Sequence, residues 1–284
     1  MENRVRLIVR KENDGKSISD LLHFYHVGRG KKEELRGKKR IFVNSNVATL
    51  STLVRENDVI EFISNEKEVV PFEKEIKVLY EDDYYIAVYK EKGILIHSDG
   101  NNNSTLINMV SSYLIKNNKN PIIYPVHRID VETSGIVLFS KNFISGTIMD
   151  NMVLNHELTK IYLLWVKGIL KNKKGELNFE LGKDRHNSNK MIVKKSNGLK
   201  AITKYEVIKE EKGNSFIKAR LITGRKHQIR VSFAYINHPL IGDSIYGNKI
   251  QKERLSLEAS YLSFIHPFTN EKIEICTDLY NINF

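Results

Sequence analysis

An α+β fold is predicted: a large domain on a mostly antiparallel, mixed sheet, preceded by a small N-terminal α/β unit. Three observations lead there. Many short runs alternate apolar and polar residues with a period of two, while few segments carry helical spacing. The two kinds of run do not alternate regularly, which argues against a parallel βαβ fold. A polar stretch, SNEKEVVPFEKE (64–75), separates a first unit at 1–65 from a second at 76–284, with 66–75 read as a linker.

In the first unit RVRLIVR (4–10) alternates like a strand. ISDLLHFYHV (18–27) has helical spacing, with Ser17 or Ser19 available as N-cap. GRGKKEELRGKKR (28–40) is a dense basic stretch with three glycines. IFVNSNVATL (41–50) reads as two short strands around an Asn-rich turn, and DVIEFI (58–63) as another strand.

In the second unit IKVLYED (76–82) and YYIAVYK (84–90) are neighbouring strands around a turn at Asp82–Asp83. STLINMVSSYLIKNN (104–118) is a helix with Ser104 as candidate cap, and GIVLFSK (135–141) a buried strand opened by a glycine. FISGTIMDNMVLNHEL (143–158) is a second amphipathic helix. KIYLLWVKG (160–168), ELNFEL (176–181), KMIVKK (190–195), AITKYEVIK (201–209) and SFIKARLITG (215–224) are strand-like, and HQIRVSFAYINH (227–238) suits a helix. KIEICTDL (272–279) alternates like a strand and carries the single cysteine, Cys276, as a small packed hydrophobe. No internal repeat is present, and Asn and Lys enrichment at 101–103, 116–120 and 171–174 marks loops.

Composition narrows the function. Hydrophobic residues make up 41% of 284, enough for a sizeable core. Forty-five Lys and Arg against 34 Asp and Glu give a formal charge of +11, which favours a polyanion as partner. One cysteine excludes an intrachain disulfide and a cysteine-rich zinc site. The nine histidines lack paired ligand spacing, and no phosphate-cradling loop or dinucleotide fingerprint occurs, so neither metal nor cofactor is expected. No apolar run reaches the roughly 18 residues of a membrane span, and the N-terminus has no signal-peptide core. A cytoplasmic chain without membrane contact is expected.

Three segments carry chemistry. In YPVHRIDVETSGIVLFSK (124–141), His127, Arg128 and Asp130 crowd three ionisable groups into four positions ahead of the buried strand. A carboxylate on a loop fixed by a strand is well placed for catalysis, and equally for a structural ion pair with Arg128. In LITGRKHQIRVSFAYINHPLIGDSIYG (221–247) a helix is expected to start near Thr223 or Gly224. That start would put Lys226, His227 and Arg230 on one face. With Arg225 and the free N–H groups of a helix start they would favour a phosphate, or else form a solvated basic end. In KIYLLWVKG, Lys160 and Tyr162 share a strand face, where the tyrosine could stack on a base or be half-buried core.

Together these segments resemble the RluA-type pseudouridine synthase family. HRIDVETSGIVLFSK (127–141) is similar to its HRLD…TSG motif, KIYLLWVKG to its K-x-Y motif, and TGRKHQIRVSFAYINHPLIGDSIYG (223–247) to its TGRxHQIR…HP…GD…YG motif. The resemblance covers 76–280. The N-terminal unit resembles, more weakly, an αL-type RNA-binding domain in which Ser45 and Asn57 stand where glycines are expected, and its basic stretch would line an RNA groove. Lys90–Glu91 stands where the family has Lys-Pro, a departure expected to alter a local turn while Gly93 and His97 fit the rest of that motif.

The resemblance implies the pseudouridine synthase fold and isomerisation of uridine within RNA, without metal or cofactor. Asp130 would be the essential carboxylate; attack on the sugar, attack on the base and assistance to glycosidic cleavage all need it ionised. Arg230 would keep it so, and Tyr162 would stack on the target base and take a proton at the sugar. The uridine must be flipped out, Arg128 filling the vacated stack and His127 or Ile129 shaping the wedge. Lys160, Arg225, Lys226 and His227 would hold the RNA backbone. Large-subunit ribosomal RNA is the expected substrate, with tRNA as the alternative, and the enzyme is expected to act as a monomer. A non-catalytic RNA-binding or ribosome-assembly protein is the competing reading. It need not keep Asp130, Tyr162 and Arg230 together. A hydrolase using Asp130 with His127 ranks last, for want of a second acid or nucleophile.

Overall fold

Two sheets form. The computed structural model describes residues 3–66, 69–98, 100, 103–187, 189–247 and 254–283. Residues 67–68 of the linker, 101–102 of the Asn-rich loop, and both chain ends at 1–2 and 284 lie outside the described residues.

In the first unit β1 (Asn3–Ile8), β4 (Val59–Ser64), β2 (Ile41–Val43) and β3 (Asn46–Ala48) pair in that order, with α1 (Ile18–Phe24) and α2 (Arg29–Leu35) packed on them. Ser17 caps α1, its Oγ accepting from the Asp20 N–H at 3.1 Å. The β2–β3 turn needs two left-handed residues, and Asn44 (φ 48°) and Ser45 (φ 68°) supply them. Asn57 is left-handed as well (φ 68°). Both positions where the family pattern expects glycine therefore keep the glycine conformation without the residue.

The second unit is one large sheet. Its strands run in the order β11 (Met191–Lys194), β10 (Lys174–Lys183), β12 (Leu199–Glu211), β13 (Asn214–Leu221), β9 (Thr159–Lys167), β14 (Leu257–Ile265), β8 (Ser134–Ser140), β6 (Tyr85–Lys90) and β5 (Lys77–Glu81). The short β7 (Tyr124–Pro125) pairs with β8, and β15 (Lys272–Cys276) with β14. All pairs are antiparallel except β14 with β8. All seven residues of β8 are buried, because both of its faces are covered. Val137 and Phe139 pack under α3 (Leu106–Lys116); Ile136 and Leu138 pack with α4 (Phe143–Leu154). The latter cluster continues into Leu21, Ile60 and Phe62, so the two units share one core. The linker is likewise held: Asn108 of α3 donates to the Val70 carbonyl at 2.7 Å and accepts from the Phe72 N–H at 3.0 Å.

The structure corrects several expectations. The basic stretch 28–40 contains the helix α2, which buries only Leu35 and so shows no apolar stripe. Thr105, not Ser104, caps α3, its N–H donating to Asn108 Oδ1 at 3.2 Å. β14 and the short helix α6 (Asp278–Asn283) have no counterpart in the sequence reading. The third helix-like segment starts as α5 (Gln228–Tyr235), so Arg225, Lys226 and His227 precede the helix and do not lie on its first turn with Arg230.

β8 and β14 meet most closely at Gly135 (φ 115°), where a Cβ would lie 2.2 Å from the Ala259 carbonyl oxygen. Gly135→Ala is expected to cost roughly 3–5 kcal/mol from backbone strain plus overpacking, read as a fall in the urea midpoint. An unchanged midpoint would show that the seam between the two strands can open.

Candidate active site

The loop before β8 is fixed at both ends. Val126 N–H donates to the Leu138 carbonyl at 2.9 Å, and Thr133 N–H donates to the Asp130 carbonyl at 3.0 Å, closing a turn. Between them the Val131 carbonyl accepts from Gly93 N–H at 2.9 Å and from Lys90 Nζ at 2.8 Å. Lys90 is fully buried and also donates to the Glu91 and Ile94 carbonyls, both at 3.0 Å. Burial pulls it down to about 8, against the charges of Glu132 and Asp130. Lys90 thus ties the 91–94 turn to the Asp130 loop, and Glu91, which stands where the family pattern has a proline, opens that turn.

Asp130 meets the start of α5. Arg230 Nη1 donates to its Oδ2 at 3.2 Å, and His227 Nε2 lies 3.8 Å from the same oxygen. Among the described residues nothing bonds Oδ1, and the side chain stays 24% exposed. One carboxylate oxygen is anchored and the other is presented. Arg128 is exposed, and among the described residues no ion pair joins it to Asp130, so the structural pair weighed from spacing does not form.

Arg230 is buried and held from behind by Asp243, whose Oδ2 and Oδ1 accept from Nε and Nη2, each at 2.9 Å. Asp243 Oδ1 also accepts the Ile245 and Tyr246 N–H groups. Burial alone would raise the Asp243 carboxyl; hydrogen bonds and charge from Arg230, with those two N–H groups, hold it below the usual carboxylate range. Arg230 is pulled down by burial and raised on balance by Asp243 and then Asp130. A guanidinium between two carboxylates stays charged and keeps its orientation. Asp243 was legible beforehand only as part of a Gly-Asp turn.

Tyr162 projects from β9 between Ala219 of β13 and Ala259 of β14 and is buried, 7% exposed, within the apolar cluster around it. Burial, then the charge of Asp130, pushes its phenol well above the usual value. The resting phenol is therefore neutral and able to donate a hydrogen bond, where the resemblance implied a proton acceptor.

The other expected residues divide. His127 turns inward, its Nε2 accepting from the Leu138 N–H at 3.3 Å; burial, with Lys160 nearby, pushes it down to about 3, so it stays neutral. Ile129 packs against two apolar clusters. Of the three residues expected to flip a base, Arg128 alone is exposed. Lys160 is partly buried, while Arg225 and Lys226 are exposed on the turn before α5. That turn is shaped by Gln228, unnoticed in the sequence, whose Oε1 accepts from Thr223 Oγ1 at 2.8 Å and Arg225 N–H at 3.0 Å. Among the described residues no group of three His, Cys, Asp or Glu is placed to hold a metal ion, and no helix is long and apolar enough to cross a membrane.

The chain is similar to several known proteins. Residues 84–235 match the model of the RNA pseudouridylate synthase family. The chain is similar to the uncharacterized RNA pseudouridine synthase YhcT of Bacillus subtilis, 28% identical over 95% of this chain and 91% of that one. It is also similar to ribosomal large subunit pseudouridine synthase D of Neisseria meningitidis, 33% identical over 75% of this chain and 62% of that one. The solved structure of human RNA pseudouridylate synthase domain containing 1 shares the fold, with TM-score 0.60 and 21% identity over 75% of this chain and 86% of that one.

Proposed function

Because the chain belongs to the RNA pseudouridylate synthase family and is an RNA isomerase, we propose that it converts uridine to pseudouridine in large-subunit ribosomal RNA with Asp130 as the catalytic carboxylate. The observation that carries the site assignment is the Asp130–Arg230 contact at 3.2 Å, with Oδ1 left open among the described residues and Tyr162 near enough to feel the Asp130 charge. The reaction breaks the bond from ribose C1′ to base N1 and forms one from C1′ to C5. C5 gives up its proton and N1 gains one, so nothing is supplied from outside.

An electron-deficient C1′ is the charge the site must meet, and Asp130 supplies the matching negative charge. Arg230 anchors that group through Oδ2 without covering Oδ1. Tyr162 offers its ring to the extruded base and its phenol proton to a base or sugar oxygen. Arg128, exposed two residues ahead of Asp130, fills the gap the base leaves in the stack. Lys160, Arg225 and Lys226 neutralise backbone phosphates around the opening.

Ribosomal RNA is supported by the relative named for the large subunit and by the N-terminal unit, whose basic stretch 28–40 offers an RNA-binding face beside the shared core. Pseudouridine mapping of total RNA from cells with and without the gene is the test. Loss of one or a few sites in large-subunit ribosomal RNA is expected. Sites lost from tRNA alone would move the substrate, and unchanged maps would remove the activity.

A further inference from the structure

His227 is left unexplained by phosphate binding. It takes a left-handed backbone conformation (φ 56°, ψ 18°), uncommon for a residue with a side chain. Such strain persists where the surroundings enforce it, and it often marks a functional position. Here it turns the ring inward, leaving the side chain 8% exposed with Nε2 facing Asp130 Oδ2. The other nitrogen, Nδ1, lies 2.9 Å from Tyr246 Oη. That oxygen already accepts the Met191 N–H of β11 at 2.8 Å, so its own proton is free to go to Nδ1. A histidine that accepts at Nδ1 and is neutral carries its proton on Nε2. Burial supports the neutral form, holding the ring below the ordinary imidazole value against the pull of Asp130.

We propose that His227 is a positioning residue for Asp130: Tyr246 fixes it as the Nε2–H form, and with Arg230 it constrains Oδ2 so that Oδ1 alone meets the uridine. This rests on the reading of Asp130 as the catalytic carboxylate. It also gives the β10–β11 hairpin a part in the reaction. Tyr246 receives its hydrogen bond from Met191, and Lys190 Nζ and Arg230 Cζ approach its ring at 5.4 and 5.5 Å. The hairpin exposes Lys183, Arg185 and Lys195, none of them in an ion pair among the described residues.

The test uses the full-length enzyme and total RNA from cells lacking the gene, labelled with uridine tritiated at C5. Tritium release is followed in single turnover as enzyme is raised to saturation. Asn places its amide near the position of imidazole Nδ1, and Gln near Nε2. His227→Asn is expected to lower the saturated rate on the order of tenfold to a hundredfold, the scale of a small misplacement of a reacting group, with the half-saturating enzyme concentration unchanged. His227→Gln is expected to recover most of the rate, and Tyr246→Phe to fall with His227→Asn. Melting temperatures identify variants that merely unfold. A loss confined to half-saturation would make His227 an RNA contact and overturn the proposal. So would Gln performing no better than Asn at equal melting temperature, or His227→Asn at the wild-type rate beside an inactive Asp130→Asn. An active Asp130→Asn would instead remove the catalytic assignment beneath it.

Discussion

Asp130→Asn leaves folding and RNA binding close to wild type and abolishes product: this is the expected result with the largest effect on activity. Asn has nearly the same shape as Asp, and its amide oxygen can still accept the Arg230 Nη1 proton that Oδ2 accepts now. Arg230 does not become an unpaired buried charge, because Asp243 still takes its Nε and Nη2. Asp130 is itself partly open to water, so loss of its charge costs the fold little. The chemistry loses far more. A neutral amide neither attacks nor balances positive charge at C1′, and a drop on the order of 10⁴-fold or more is expected when the central group of a site is removed. That is about 5 kcal/mol of transition-state stabilisation. Tritium release in single turnover measures it, with a filter-binding isotherm beside it. Turnover near the wild-type rate would sink the assignment, and a lost isotherm would mean that the substitution disturbed the fold instead.

What the sequence made legible follows from where each signal resides. β8 reads as a strand because it is buried on both faces and cannot avoid a continuous apolar run. β14 was missed although it joins β9 to β8. Its small residues Ala259 and Ser260 and a register shift between Ala259 and Tyr261 dilute the alternation, and its pairing partners lie far along the chain. α2 was missed because a helix on the rim of a small unit needs one buried leucine and no stripe. In the site, Tyr162 could be placed on its strand face from periodicity alone. The contact of Asp130 with Arg230 joins residues 100 apart, which no local spacing can report; only the family resemblance suggested it. The helix start was misjudged because a left-handed His227 leaves no mark in the sequence, and that residue conformation is what keeps Arg225 and Lys226 off the first turn that carries Arg230.

Asp243→Asn carries the second large effect, and it falls on stability and activity together. Arg230 is 3% exposed and Asp243 entirely buried, so the carboxylate offsets a charge that water cannot reach. Asn keeps an acceptor for the Ile245 and Tyr246 N–H groups, so the change falls on the Arg230 side alone, where the charge and the acceptor for Nε are both lost. Loss of one partner of a buried pair costs roughly 3–5 kcal/mol, with the lower end expected because Asp130 still holds one Arg230 nitrogen. The freed guanidinium would swing toward Asp130 and occupy the oxygen that should meet the uridine, so the rate falls even in molecules that stay folded. The sign reverses in the double variant. Arg230→Met with Asp243→Asn leaves no charge at this buried pair and is expected to be more stable than Asp243→Asn alone, while remaining inactive. Acid provides an independent check. Because the folded carboxyl lies below its ordinary value of 3.8, its contribution is fully present above that pH and is lost as pH falls through the lower folded value. Urea midpoints taken from neutral pH down past 3.8 should fall more steeply in the wild type than in Asp243→Asn. Parallel acid limbs, or a double variant less stable than the single, would show that the pair holds Arg230 in place without supporting the fold.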